Sequence, residues 1–252
     1  MANPHKFYLA HMSAKTGYRA AWDPSRPHVI GQIGKLDQSG VFNVFSNLEK
    51  EGIPVETLAD PSTMEMDYTS HDSVSISVKL SGKAPQAGSV LTDAEAGFSF
   101  EFKNERSIVF QTSGHRTHQL TNLAEIERLI IQKFKDGNWD KNWLIITQLV
   151  EANTATIIIS NSSNSSLELS AKASAGTTDL KLTDASLGLT VAREKGSTLK
   201  YITQNGLTPL YRVMGIRHPL FGKPQLSTKG DKEEQQKESF GLQDFDPGEL
   251  QE

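Results

Sequence analysis

The closest histidines in the chain, His115 and His118, stand in the stretch TSGHRTHQ. On a helix, three-residue spacing would put both imidazoles on one face, where they could hold a divalent metal. The surrounding Gly, Ser and Thr read instead as a loop, so the expectation is a solvated pair. Asp136, Asp140 and Glu151 offer a second kind of chemistry, but they share no recurring spacing. They read as capping and surface charges, not as the paired acids of a hydrolase. There is no Gly-rich phosphate loop, no nucleophile elbow and no helical metal pair of the usual spacing. With no cysteine in the sequence, disulfides, thiolate catalysis, thiolate metal sites and acyl anchoring through a cysteine are all excluded. The residues therefore point away from an enzyme, and no cofactor or metal is expected.

Charge says more. The net charge of -4 is unevenly spread. The first 35 residues carry Lys6, Lys15, Arg19, Arg26 and Lys35 against Asp23 alone, and residues 193–223 carry Arg193, Lys195, Lys200, Arg212, Arg217 and Lys223 against Glu194 alone. From Lys229 onward eight acidic residues face three lysines. Two basic segments in an acidic chain suggest a partner that carries phosphate, either lipid headgroups or nucleic acid. No aromatic-basic recognition motif accompanies them, so nucleic acid is not expected.

The elements that would position these charges are mostly strands. Between residues 154 and 191, apolar residues recur at every second position in three bursts: Leu167/Leu169/Ala171/Ala173, Leu180/Leu182 and Leu187/Leu189/Val191. This is the period of a strand with one dry and one wet face. The parity changes across residues 183–186, which requires a turn or bulge. A second alternating run, Val74/Ile76/Val78/Leu80, has its expected partner in Phe98/Phe100/Phe102. A turn at residues 38–40 precedes an alternating strand at 41–45. Residues 123–135 read as a helix, with Asn122 and Glu125 as a capping box and Gly137 as the stop. Residues 143–160 read as two core strands broken at Glu151-Ala152-Asn153, and residues 198–203 and 209–216 as the last two. The first 35 residues read as short helix and loop, and the two Asn-Ser-Ser sequons, at Asn161 and Asn164, as a polar turn. No run approaches the ~20 apolar residues of a spanning helix, and the start lacks a signal peptide's apolar core. At 252 residues, with 37% hydrophobic and 22% charged, the expectation is a cytoplasmic α+β protein. It would have a twisted, mostly antiparallel central sheet with flanking helices over residues 1–220, and a flexible acidic tail at 221–252.

Three stretches resemble the pore-forming amino-terminal domain of the gasdermin family. LDQSGVFNVFSNL at 36–48 resembles that domain's first strand after the initial helix. WLIITQLVEANTATIII at 143–159 and VAREKGSTLKYITQNGL at 191–207 resemble later core strands, the last with the family's basic-glycine-serine entry. The resemblance runs in consistent order over roughly residues 30–216. It implies a domain that rests on acidic phospholipids through basic residues, assembles into a homo-oligomeric ring and unfolds two regions into membrane-crossing hairpins. Those regions would be about 73–112 and 154–191. The candidate inserting residues are Val74, Ile76, Val78, Leu80, Phe98, Phe100, Phe102, Leu167, Leu169, Leu187, Leu189 and Val191. The candidate lipid contacts are Lys6, Lys15, Arg19, Arg26, Lys35, Arg193, Lys195, Lys200, Arg212 and Arg217. A spanning strand needs about 9 to 11 residues of alternating pattern, and only a closed ring satisfies its backbone in lipid.

The sequence departs from the family's larger animal members in leaving no room for a second, helical domain after residue 220. A short tail resembles the bacterial members, which often carry a lipidated cysteine that this chain lacks. The compact plan resembles the fungal regulator-of-cell-death members. The trigger is thus open between cleavage of an inhibitory tail by a protease, with Phe240, Leu242 and Phe245 covering the domain, and encounter with a variant gasdermin partner. Either implies a cell-death effector in defence or non-self recognition, acting at the inner face of the plasma membrane. The alternative from composition alone is a β-rich lipid- or ligand-binding module that never inserts.

Overall fold

A proline at the first position of a helix is well tolerated, because its missing N–H would have no partner there and its fixed φ suits the turn. Pro4 takes this place. The computed structural model describes residues 4–24, 26–70, 73–172, 180–217, 225–226 and 243–244, and it opens with helix α1 (Pro4–Thr16). There follow β1 (Arg19–Ala20), β2 (Gln32–Leu36), β3 (Phe42–Asn47), β4 (Thr57–Ala59), β5 (Met64–Thr69), β6 (Val74–Lys79), β7 (Gly97–Phe102), β8 (Ile108–Leu120), α2 (Leu123–Lys135), β9 (Leu144–Ser160), β10 (Ser165–Ser170), β11 (Thr190–Lys195), β12 (Thr198–Arg217), β13 (Gln225–Leu226) and β14 (Gln243–Asp244). The described strands pair antiparallel throughout. They form a ten-stranded sheet and a four-stranded one in the order β11-β10-β7-β6. The fold is α+β, as the sequence predicts.

The spine of the large sheet is β9. Its apolar runs do not form two strands, because Glu151-Ala152-Asn153 continues the ladder. Ala152 is fully buried and pairs with Leu207 of β12, while Glu151 pairs with Arg116 of β8. The polar break is a solvent-facing patch in the middle of one 17-residue strand. The last two expected strands are likewise one. β12 runs for 20 residues, carrying Gly206 (φ 63) between the paired Asn205 and Leu207, and Pro209 within the register shift at Leu207/Leu210. A proline lacks a ladder donor and is tolerated at such a bulge; here its carbonyl accepts from Ala21 N–H at 2.8 Å. His115 and His118, expected in a loop, lie in β8. The Gly114 that suggested the loop sits at φ 63 beside the Asn153 side chain, and the ladder of β8 with β9 keeps one register on either side of it, Ser113 opposite Thr154 and Arg116 opposite Glu151.

Helix α2 spans the predicted residues and buries Ile126 and Ile130. It closes as predicted at Gly137 (φ 76), with Asn138 N–H donating to Lys133 and Gly137 N–H to Phe134, a Schellman pair of bonds. Its start differs from expectation. The Asn122 side chain makes no cap bond; its Oδ1 accepts from Glu56 N–H at 3.1 Å and its Nδ2 donates to the Pro54 carbonyl at 3.0 Å. The residue stitches the helix to the preceding loop.

Alternation along β8 and β9 divides the core between partners. Ile108, Phe110, Ile157 and Ile159 pack with Tyr8, Leu9 and Met12 of α1, whereas Val109 and Ile158 pack with the four-stranded sheet. Farther along, Ile145 joins Ile33, Leu48 and Met214 under α2. The two short strands β13 and β14 lie against the end of β12, Leu226 opposite Ile216 and Asp244 opposite Met214.

Candidate functional site

The two alternating segments singled out from the sequence do not form separate hairpins. β6 and β7 come from the first, β10 and β11 from the second, and β7 pairs with β10 so that all four make one sheet. The register lines up rows across it: Ile76, Phe100 and Leu167 in one, Val78, Phe98, Leu169 and Val191 in the next. A register shift between Glu168 and Leu169 sets Val191 opposite Leu169. Phe98, Phe100, Phe102, Leu167 and Leu169 are sealed from solvent, and the rings of Phe100 and Phe102 stack at 6.2 Å. Val74 is buried, Ile76 and Leu80 are half-buried, and the ends of the row stay open, Val78 at 52% and Val191 at 42% exposure. Ser75, Ser77, Glu101, Ser166 and Glu168 occupy alternate positions on the other face. The sheet has the dry and wet faces that its period-two pattern predicts.

The stretch between β10 and β11 departs from expectation. Leu180 to Leu189 is not strand; a single 3₁₀ turn at Ala185–Leu187 supplies the parity change, capped by the Asp184 carboxylate at 2.9 Å from Ser186 N–H. Leu180, Leu182, Leu187 and Leu189 are nevertheless all buried against the phenylalanines. Thr154 and Thr156 of β9 hold this cover in place by donating to the carbonyls of Thr183 and Leu182 at 2.8 and 2.6 Å. Ala173 lies outside the described residues.

The ten basic candidates fall into unlike environments. Lys6 and Lys15 are exposed near the two ends of α1, and Lys195 is exposed on β11. Arg26 is exposed beside Asp23 at 3.1 Å, and Lys35 is bonded to Asp140 at 2.6 Å. Lys200 is half-buried against Glu194 at 2.5 Å. Arg212 lies 4.3 Å over the Tyr18 ring and donates to the Gly17 carbonyl at 2.8 Å, closing the end of α1. Arg193 is exposed and donates to the Gly88 carbonyl at 2.7 Å. Arg19 corrects the sequence reading: β1 pairs with β12 and turns this side chain inward, leaving it 4% exposed with Nη2 donating to Gly40. It cannot reach a headgroup in this conformation. The side chain of Arg217, and Phe240, Leu242 and Phe245, lie outside the described residues. Sequence reasoning missed Arg106, whose guanidinium stands 5.5 Å over the Phe7 ring of α1; its only signal was a polar break between β7 and β8.

The residues first weighed for chemistry are scattered. On a strand, three-residue spacing puts His115 and His118 on opposite faces. His115 is buried, 3.0 Å from the Thr112 hydroxyl, and burial lowers its pKa. His118 instead pairs with Glu151 at 3.0 Å, at the edge of a cleft of about 630 Å³ that His28, Gln32 and Thr208 also line. Asp136 accepts from Gln132, and Asp140 accepts from Lys35 and Asn142. Among the described residues no group of three acidic or histidine side chains is placed to hold a metal, and no helix is long and apolar enough to cross a membrane.

No protein-family model and no curated protein matches this sequence. Among solved structures, the chain is similar to a bacterial gasdermin from Bradyrhizobium tropiciagri, with 16% identity and a TM-score of 0.38 over 84% of this chain and 88% of that one.

Proposed function

We propose that this chain is a membrane-permeabilising protein of the gasdermin type, a cell-death effector that binds acidic phospholipid, assembles into a ring and crosses the bilayer with strands. The observation that carries this reading is the four-stranded sheet. The two stretches whose alternation suits a lipid-facing strand are gathered into one antiparallel unit with one dry and one wet face. The sequence motifs at 36–48, 143–159 and 191–207 support it independently.

The fold also sets what insertion would require. Each of β6, β7, β10 and β11 has six residues here, and a spanning strand needs about 9 to 11. The strands must therefore lengthen into the residues that join them, 80–96 and 171–189. The phenylalanines and leucines that would meet lipid are core residues before that change. Docking falls to exposed cations, with Lys6 and Lys15 on α1 and Lys195 on β11 the foremost. Residues 221–252 form a regulatory tail, released by cleavage or by a variant partner, and the protein waits in the cytoplasm before acting at the inner membrane face.

Dye release from liposomes, with and without acidic phospholipid, tests the reading on the full chain and on a version ending at Lys229. Leakage confined to acidic liposomes is expected, with faster release from the shorter chain. Protein that floats with acidic liposomes yet releases no dye from either version would sink pore formation in favour of a non-inserting lipid-binding module. Equal leakage from both versions would remove the tail's inhibitory role alone.

A further inference from the structure

The loop between β6 and β7, residues 80–96, is held down by the strands of the other segment. The Glu168 carboxylate of β10 accepts from Val90 N–H at 2.9 Å and from the Ser89 hydroxyl at 3.2 Å. One residue away, the Gly88 carbonyl accepts from Arg193 Nη1 of β11. Between these polar contacts and β7, Leu91 is buried to 2% exposure, with a methyl that would stand 3.0 Å from a Cβ placed on Gly97. At the loop's far end Lys79, 9% exposed, donates its ammonium to the Glu95 carbonyl at 2.5 Å. A surface loop needs none of this to connect two strands. A charged carboxylate spent on a backbone N–H makes one of the stronger hydrogen bonds available to it.

We propose that this loop is a clasp, fastened by Glu168 and Arg193, which makes the two alternating segments open as one unit and sets how often they do so. β6 and β7 cannot lengthen while the loop is pinned to β10 and β11, and β10 and β11 cannot leave while they hold the loop. Coupling of this kind turns two local openings into a single cooperative one. Its consequence for leakage rests on the pore-forming reading; the coupling itself does not.

Hydrogen exchange followed by mass spectrometry on the full chain tests it, comparing wild type with Glu168→Ala, Ser89→Ala and Arg193→Lys. In wild type, peptides covering 80–96 and 165–172 are expected to open at one common rate. Glu168→Ala should speed opening of 80–96 by roughly tenfold and separate the two rates, with α2 and β9 unchanged. Ser89→Ala, which keeps the Val90 bond, should give a smaller change, and Arg193→Lys, which keeps a donor, should stay near wild type. Unchanged exchange of 80–96 in Glu168→Ala, or different rates for the two segments already in wild type, would overturn the clasp. If Glu168→Ala fails to fold, the wild-type rates and Ser89→Ala still decide. Faster opening without faster dye release would leave the clasp standing and count against pore formation.

Discussion

At Gly97, β7 leaves no room for a side chain against β10. A Cβ there would lie 2.1 Å from the Leu169 carbonyl oxygen and 3.0 Å from a Leu91 methyl, and a ladder backbone has little freedom to retreat. Gly97→Ala is expected to push the strands apart at a cost of about 1–3 kcal/mol, read as a lower urea midpoint; an unchanged midpoint would show that the ladder gives way freely. Histidines set a second residue-scale expectation. The pKa values of His28 and His115 lie below the ordinary 6.5 of an imidazole, chiefly because of burial. The folded form therefore holds them neutral, and the unfolded chain takes up protons first. Their contribution is complete above the unfolded pKa and is lost as pH falls through 6.5 toward the lowered folded values. The urea midpoint should drop between about pH 7.5 and about pH 5.5, with His28→Gln flattening part of the fall. A midpoint that holds or rises over that range would contradict this account.

Helix α2 shows what an element contributes when its pattern is clean. Ile130 is fully buried beneath it, among Ile33, Leu48, Leu120 and Ile145. Ile130→Ala should cost about 2–5 kcal/mol through lost burial and a residual cavity, measured by thermal or urea unfolding. A loss below the cost of a surface substitution would place the helix outside the cooperative core. This helix, the β2–β3 turn, the pairing of β6 with β7 and the burial of the six leucines from Leu167 to Leu189 were legible from periodicity, which is local. What was not legible depended on partners distant in sequence. Glu151 and Asn153 interrupt an apolar run without interrupting the strand, because β8 supplies Arg116, His118 and Gly114 opposite them. The gap between residues 203 and 209 reads as a break, yet β12 runs through it with Pro209 inside a bulge. The pairing of β7 with β10 has no sequence signature, since each strand shows only which face is apolar, and Arg19 looked like a surface charge because inward turning is decided by the β1–β12 pairing.

For the whole molecule, charge placement decides how it would approach a membrane. Lys6 and Lys15 are exposed on α1, whose other face packs on the core through Tyr8, Leu9 and Met12. At about 1 kcal/mol per basic residue near an anionic leaflet, Lys6→Glu with Lys15→Glu should lower binding to acidic vesicles by roughly tenfold or more. Co-sedimentation would measure this, and binding as tight as wild type would move the docking surface away from α1. The union of the two segments in one sheet also has a consequence during synthesis. Gly97 pairs with Ser170 and Phe102 with Ser165, so β7 leaves the ribosome long before its partner. At about 5–20 residues per second, the Phe98, Phe100 and Phe102 face stays uncovered for several seconds. Only β6 can pair with β7 during that interval. The polar alternates Ser99 and Glu101, with Lys79 and Lys103 at the hairpin's ends, then serve as gatekeepers that keep a nascent hairpin from pairing with its neighbours on a polysome.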